Sequence, residues 1–187
     1  MTNTYKKPIY DDKSLAANMQ KRQDIWDEMF IEESDRSVGV LGGALIDESL
    51  KELFKFKFTD DYLNAEQILS YPNVLGSVGA RIEIARAFGI IGQFFYEDLK
   101  AINDIRNFFA HSTLVPNSKH KLSSISFDSQ RPSDLCKKLS HYKEFERKYG
   151  RPLKTRLCFE HSVSWAASCI SAAIHFPKQK IGKRIKI

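Results

Sequence analysis

The chain has 187 residues, of which 42% are hydrophobic, and this is enough apolar material for one domain to bury a core without disulfides or a structural metal. Much of its formal net charge of +6 lies in residues 178–187, whereas acidic and basic residues are interleaved over residues 1–100, which argues against a broad DNA-binding face there. No apolar run is long enough to cross a bilayer, and the N-terminus has no basic stretch followed by an apolar one, so we expect neither membrane insertion nor secretion.

Cysteine and histidine usage indicates a reducing compartment and no metal site. The three cysteines, Cys136, Cys158 and Cys169, are odd in number and lie at no metal-ligand spacing. His120 and His141 likewise have no cysteine or carboxylate partner at such a spacing. We therefore expect a cytoplasmic protein that carries neither a metal nor a cofactor.

Two helices are predicted in the N-terminal part of the chain. Apolar residues at helical spacing predict the first from its N-cap, Ser14, to about Phe30, and the second from Ser34 or Asp35 to about Phe56. The second helix contains three glycines, which are Gly39, Gly42 and Gly43. Because glycine has no side chain to pack, these positions predict a close contact with another helix.

The middle of the chain predicts three further helices, most of whose ends are marked by a capping residue, a glycine or a proline. A short helix over residues 60–69 ends before Pro72, since the residue before a proline avoids helical geometry. Ser77 can cap the next helix, and Gly89 suits the left-handed position that closes it. A new helix is predicted to begin near Gln93.

The C-terminal part begins with a polar stretch. Residues 112–132 are rich in Ser, Asn, Lys and Pro, which predicts a long connection. Residues 135–149 then read as one helix that ends at Gly150, and residues 154–176 as a mostly apolar final helix that ends before Pro177.

Helices joined by short links predict an all-α fold, a single-domain multi-helix bundle over residues 14–176. Residues 1–13 form an N-terminal extension and residues 177–187 a basic tail. The cations of the tail are Lys178, Lys180, Lys183, Arg184 and Lys186. We interpret it as a solvated segment that could also add to a partner, pack as an edge strand or contact nucleic-acid phosphates without sequence preference.

The hexapeptide Arg106-Asn107-Phe108-Phe109-Ala110-His111 is the main candidate for chemistry. On a helix its polar side chains share one side with those of Asn103 and Asp104, opposite an apolar side. One interpretation is structural: Asn107 and His111, four residues apart, hydrogen-bond each other or cap the last turn. The other is that Arg106, Asn107 and His111 form a phosphate-handling site, with the guanidinium binding charge and the imidazole acting as general acid or base.

A longer string of residues resembles the mannitol operon repressor family of bacterial regulators. The residues that carry the resemblance are Glu33-Ser34-Asp35-Arg36, Val38, Gly43-Ala44-Leu45-Ile46-Asp47, Leu75-Gly76-Ser77-Val78-Gly79-Ala80-Arg81-Ile82, Ala85-Arg86-Ala87-Phe88-Gly89-Ile90-Ile91, Asp98-Leu99-Lys100-Ala101-Ile102 and Ile105 to Ser112. The resemblance implies a compact helical protein without a DNA-reading helix-turn-helix, which controls transcription for sugar-alcohol uptake through protein partners. We expect such a regulator to be non-enzymatic and to form a homo-oligomer, most simply a dimer.

Two arginines within this string are candidates for contact with a partner. They are Arg36 and Arg81, and either could instead form an ordinary ion pair with Asp35, Asp47 or Glu83. The ion pair is the favoured interpretation of both.

The hexapeptide also resembles the signature of HEPN domains, helical proteins that include metal-independent ribonucleases working as dimers. The resemblance implies that Arg106 holds the scissile phosphate, His111 shuttles protons during attack by the RNA 2′-hydroxyl, and Asn107 orients one of them. Because the longer string carries the first resemblance, a regulator is the first hypothesis, and an endoribonuclease of the toxin or defence type is the alternative.

Overall fold

A computed structural model describes residue 30 and residues 33–58, 62–112 and 125–175, with the backbone alone for residues 62–64 and 175. Over these ranges the chain forms seven α-helices and no β-sheet, which confirms the all-α prediction. The helices are α1 Asp35–Lys57, α2 Tyr62–Leu69, α3 Val78–Ala87, α4 Gln93–His111, α5 Gln130–Cys136, α6 Ser140–Tyr149 and α7 Thr155–His175. The N-terminal extension, the basic tail and the predicted first helix up to residue 29 lie outside the described residues.

Helix α1 is the centre of the bundle, lying between α4 and α7. A Cβ atom added to Gly39 would come within 2.2 Å of Phe109 Cδ2, and one added to Gly42 would come within 2.7 Å of Phe159 Cε1. Gly43 lies equally close to Arg106 of α4. The glycines of α1 therefore make the close helix contacts that the sequence predicts.

A buried aromatic chain joins the helices on either side of α1. The Phe127 ring lies 4.9 Å from the Phe109 ring of α4 and 5.1 Å from the Phe159 ring of α7. Phe127 belongs to the predicted connection, yet it is 1% exposed, and its backbone N–H donates to Asp35 at 2.9 Å. The end of the connection therefore closes one end of the core.

Most helix ends follow local signals in the sequence. The side chains of Ser34 and Ser77 accept hydrogen bonds from the first turns of α1 and α3, as N-caps do. Gly89 has a φ of +66° after α3, and Gly150 has a φ of +64° after α6. Side chains avoid this left-handed conformation, so glycine ends both helices at low cost.

The prediction of one helix over residues 135–149 is wrong. Two helices, α5 and α6, lie there, and α5 begins earlier, at Gln130, so that Pro132 falls in its first turn, where a proline is tolerated. The second helix begins at Ser140 because the Asp98 carboxylate of α4 accepts from the Ser140 backbone N–H at 2.8 Å and from its hydroxyl. This cap comes from a distant part of the chain.

Candidate functional site

The polar face of the hexapeptide lies at the C-terminal end of α4 and is held by α1. The Cβ and Cγ atoms of Arg106 lie against Gly43, where an added Cβ would be 2.4 and 2.2 Å from them. Arg106 Nη1 donates to Asn107 Oδ1 at 3.0 Å, and both residues are half-buried. The Arg106 side chain is therefore held at both ends: its Cβ and Cγ atoms lie against the α1 backbone, and its guanidinium group is hydrogen-bonded to the Asn107 amide.

His111 is exposed and differs from its neighbours in having no such support. Within the part of the chain that the structure describes, no hydrogen bond joins its imidazole to Asn107 or Arg106. The last turn of α4 is capped instead by the Ser112 hydroxyl, which donates to the Phe108 carbonyl at 2.5 Å, and by Arg36, which donates to the Ala110 carbonyl at 3.5 Å. A capping role therefore belongs to Arg36 and Ser112 in the folded protein.

Three arginines and His111 lie around the C-terminal end of α4, and we name this group the basic face: Arg36, Arg106, Arg131 and His111. The Arg131 guanidinium carbon lies 5.9 Å from the centre of the Phe108 ring, which places it beside the last turn of α4. None of the three arginines forms an ion pair with a carboxylate of the described residues. Cations are favoured at a helix C-terminus by its partial negative charge, but guanidinium groups without a carboxylate also remain available to an external anion.

Arg156 shows the opposite arrangement at the same end of the bundle. Its Nη1 donates to Asp35 at 2.9 Å, and its Nε donates to Glu160 at 2.8 Å. Its Nη2 also donates to the Phe30 carbonyl. Its charge is therefore neutralised within the fold, unlike the charges of the three arginines of the basic face.

Arg81 is buried in the core and does not belong to any surface. Of the three predicted partners it pairs with Asp47 of α1, and its Nη1 donates to the carbonyls of Leu69, at 3.2 Å, and Leu75. Burial lowers the pKa of Arg81 from its ordinary value. Arg81 therefore fixes the loop between α2 and α3, and of the two predicted contact arginines only Arg36 faces a surface.

A second polar cluster, which sequence reasoning missed, joins α4, α6 and α7. It contains the buried Asp98, the half-buried Ser140 and His141, and the partly exposed Trp165, with the His141 ring 5.3 Å from the Trp165 ring. Burial raises the pKa of Asp98 and lowers that of His141, whose Nδ1 has no hydrogen-bond partner among the described residues. A signal was present: Asp98 continues the apolar stripe of α4 one turn before Ile102, and an acid on such a stripe requires a buried partner.

The cysteines and the metal-ligand types do not form a site within the described ranges. No three His, Cys, Asp or Glu residues come together there to hold a metal ion. Burial raises the pKa of Cys158 to about 12 and that of Cys169 to about 11, and it raises the pKa of Cys136 as well. Such thiols stay protonated at neutral pH and are poor nucleophiles.

The predicted contact residues of the tail, Lys178, Lys180, Lys183, Arg184 and Lys186, lie outside the described residues and stay predictions. None of the helices described has both the length and the apolar character that a membrane span needs. Comparison with known proteins gives no relative: no protein-family model matches the sequence, no curated protein is similar to it, and no solved structure matches it.

Proposed function

We propose that this protein is a bacterial regulator of the mannitol repressor type, which acts without catalysis by binding an acidic surface of a partner protein through the basic face. The observation that carries the proposal is the set of three arginines without a carboxylate partner among the described residues, one of them fixed by Gly43 and Asn107. Fixed, unpaired guanidinium groups suit carboxylates, because both oxygens of a carboxylate fit the planar fork.

The arrangement favours binding over catalysis. A general acid or base is held at its substrate by a group that orients it, and His111 has no hydrogen bond within the described residues that would do so. The amide that could orient it, Asn107, already accepts from Arg106. A binding face needs only charges at fixed positions, which Arg106 provides.

Transcript profiling in the host organism tests the proposal. Deletion of the gene should change the transcripts of its target operon, and the wild-type chain should restore them. The double variant Arg36→Glu with Arg106→Glu should fail to restore them, because its two new carboxylates repel the carboxylates of an acidic partner. The control Arg151→Glu, at an exposed residue without an ion pair among the described residues, should restore them.

His111→Ala separates this proposal from catalysis in the same experiment. A non-enzymatic regulator loses at most part of its effect in that variant, since the three arginines of the basic face remain. Complete loss of the effect in a variant that is still folded by circular dichroism would contradict the regulator and would support the alternative.

The alternative is a metal-independent endoribonuclease of the HEPN type, and one observation favours it. The exposed His111 lies at the same helix end as Arg106 and Arg36, so the groups that could bind a phosphate and move a proton are gathered at the C-terminal end of α4. In that case Arg106 binds the scissile phosphate and His111 transfers the proton. Incubation with mixed RNA in EDTA tests it: cleavage by the wild type and not by folded His111→Ala supports the nuclease, and no cleavage by either excludes it.

A further inference from the structure

Residues 67–80, which we name the uncharged ridge, expose large apolar side chains. The ridge covers the end of α2, the α2–α3 loop and the start of α3, and it contains no charged residue in a chain that is 28% charged. Within it Tyr71 is 87% exposed, Val74 80% and Ile68 41%. An apolar surface on an otherwise charged protein marks an interaction site.

The loop of the ridge is fixed, although its tip is solvent-exposed. The Leu75 backbone N–H donates to the Ile68 carbonyl at 3.1 Å, and the Asn73 side chain donates to the Gln67 carbonyl at 2.7 Å. From beneath, Arg81 donates to the Leu75 carbonyl. A surface that is already ordered loses little conformational entropy when it binds, so exposed Tyr71 and Val74 are suited to contact.

Gly79 leaves room for a partner molecule to come close to the first turn of α3. A Cβ added to Gly79 would meet no atom of the described residues within 4 Å, whereas one added to Gly39, Gly42 or Gly43 would meet a side chain of a neighbouring helix. Glycine in a helix destabilises it by about 1 kcal/mol relative to alanine, and packing against the described residues gives no reason for Gly79. A partner that comes close to the first turn of α3 would give one.

The charge distribution identifies the partner. The chain carries a net charge of +6, so two copies repel each other unless they meet through a surface without uncompensated cations. A two-fold interface must be complementary to itself, which an apolar, uncharged surface is and a basic one is not. Acidic proteins, nucleic acids and anionic membranes would be drawn to the basic face instead.

We propose that the uncharged ridge contacts the same ridge of a second copy, so that the protein forms a two-fold homodimer through residues 67–80. This proposal goes beyond the regulatory function and does not depend on it. Tyr71 and Val74 of each copy form the apolar centre of the contact, and Gly79 lets the two α3 helices approach.

Sedimentation equilibrium of the full chain over a concentration series tests the dimer. The wild type should have the mass of two copies and dissociate on dilution. Val74→Glu should weaken association by roughly tenfold or more, because it places two carboxylates opposite each other across the two-fold axis. The matched control is Phe88→Glu, at a residue 76% exposed outside the ridge, and it should leave the dissociation constant unchanged.

Gly79→Ala adds a second, independent test. In a single copy the new methyl group meets no atom of the described residues within 4 Å, so the substitution should raise the unfolding midpoint of the dissociated chain while it weakens association. A wild type that is a single copy at every concentration up to roughly 1 mM, the limit of weak specific binding, overturns the proposal. So does a dimer that Val74→Glu leaves intact, with circular dichroism showing both chains folded.

Discussion

Arg81 and Arg106 lie on neighbouring helices, α3 and α4, but their guanidinium groups have opposite environments. Arg81 is 0% exposed and is paired with Asp47 and two backbone carbonyls. Arg106 is half-buried, and its Cβ and Cγ atoms pack against Gly43. Its guanidinium group donates to the amide oxygen of Asn107 and has no carboxylate partner among the described residues.

The difference teaches where the charge of an arginine is used. A buried guanidinium must be neutralised and hydrogen-bonded within the fold, because an unpaired charge in the core is strongly destabilising. A fixed but unpaired guanidinium at the surface contributes little to stability and remains available to an anion. We therefore assign Arg81 to the fold and Arg106 to binding, and four predictions test that assignment.

The largest expected effect is that of removing Arg81. Arg81→Met should lower the free energy of unfolding by roughly 3 kcal/mol, because the carbonyls of Leu69 and Leu75 lose a buried donor and Asp47 keeps only its ion pair with Lys51. Urea denaturation measures this. The control Arg86→Met, on the exposed side of α3, should stay within about 0.5 kcal/mol of wild type. A loss below about 1 kcal/mol for Arg81→Met would contradict the structural assignment.

The second prediction concerns the support beneath Arg106. Gly43→Ala should destabilise the protein by about 1–3 kcal/mol, because the added methyl overlaps the Cγ atom of Arg106 and also its Cβ atom, which cannot move without the backbone. It should also weaken partner binding by displacing the guanidinium. Gly79→Ala, measured at a concentration at which the chain is a single copy, is the matched control, since its methyl meets no atom of the described residues within 4 Å; equal losses for both variants in urea denaturation would exclude the close contact.

The third prediction concerns a half-buried imidazole, that of His141. Burial lowers the pKa of His141 below its ordinary 6.5, so as the pH falls through 6.5 the unfolded chain takes up the proton first and the free energy of unfolding decreases. Asp98, whose pKa burial raises above 3.8, acts in the opposite sense: the folded state takes up its proton first, which adds stability as the pH falls towards 3.8.

His141→Phe removes the first of these two titrations and keeps an aromatic ring beside Trp165. Thermal denaturation followed across a pH series should therefore show a smaller loss of stability just below pH 6.5 in the variant than in the wild type. If both chains lose stability with the same slope, proton uptake at His141 does not cause the loss.

The smallest expected effects are those on the basic face. Arg106→Met should cost less than about 1 kcal/mol and His111→Ala should stay within about 0.5 kcal/mol, because neither removes the partner of a buried charge. Chemical denaturation measures both, with Arg81→Met as the reference. If Arg106→Met destabilises as strongly as Arg81→Met, the contrast between the two arginines is wrong.

Helix starts and stops were predictable where their signals are local. Ser34, Ser77 and Gly89 act within a few residues of their own position, through side-chain caps or a left-handed backbone. The division between α5 and α6 was not predictable from residues 135–149, because its cause is Asp98, which precedes Ser140 by 42 residues. A cap from another helix leaves no trace in the local pattern.

In the candidate site, too, the local feature was predictable from the sequence and the contact between helices was not. The helical period alone predicts that Arg106, Asn107 and His111 share a polar surface of one helix. It does not predict that Arg36 of α1 reaches the Ala110 carbonyl, since this contact requires α1 and α4 to pack with their ends side by side.

By itself the sequence determined the helical class, most helix ends and the polar character of the α4 terminus, because periodicity and capping act over single turns. The tertiary structure decided which arginine is neutralised and which stays free. Asp47 reaches Arg81, and no carboxylate of the described residues reaches Arg106, because the packing of α1 against α3 and α4 sets these distances. The strength of an interaction between two charges depends on their separation and on their burial, and the spacing of residues along one chain segment determines neither.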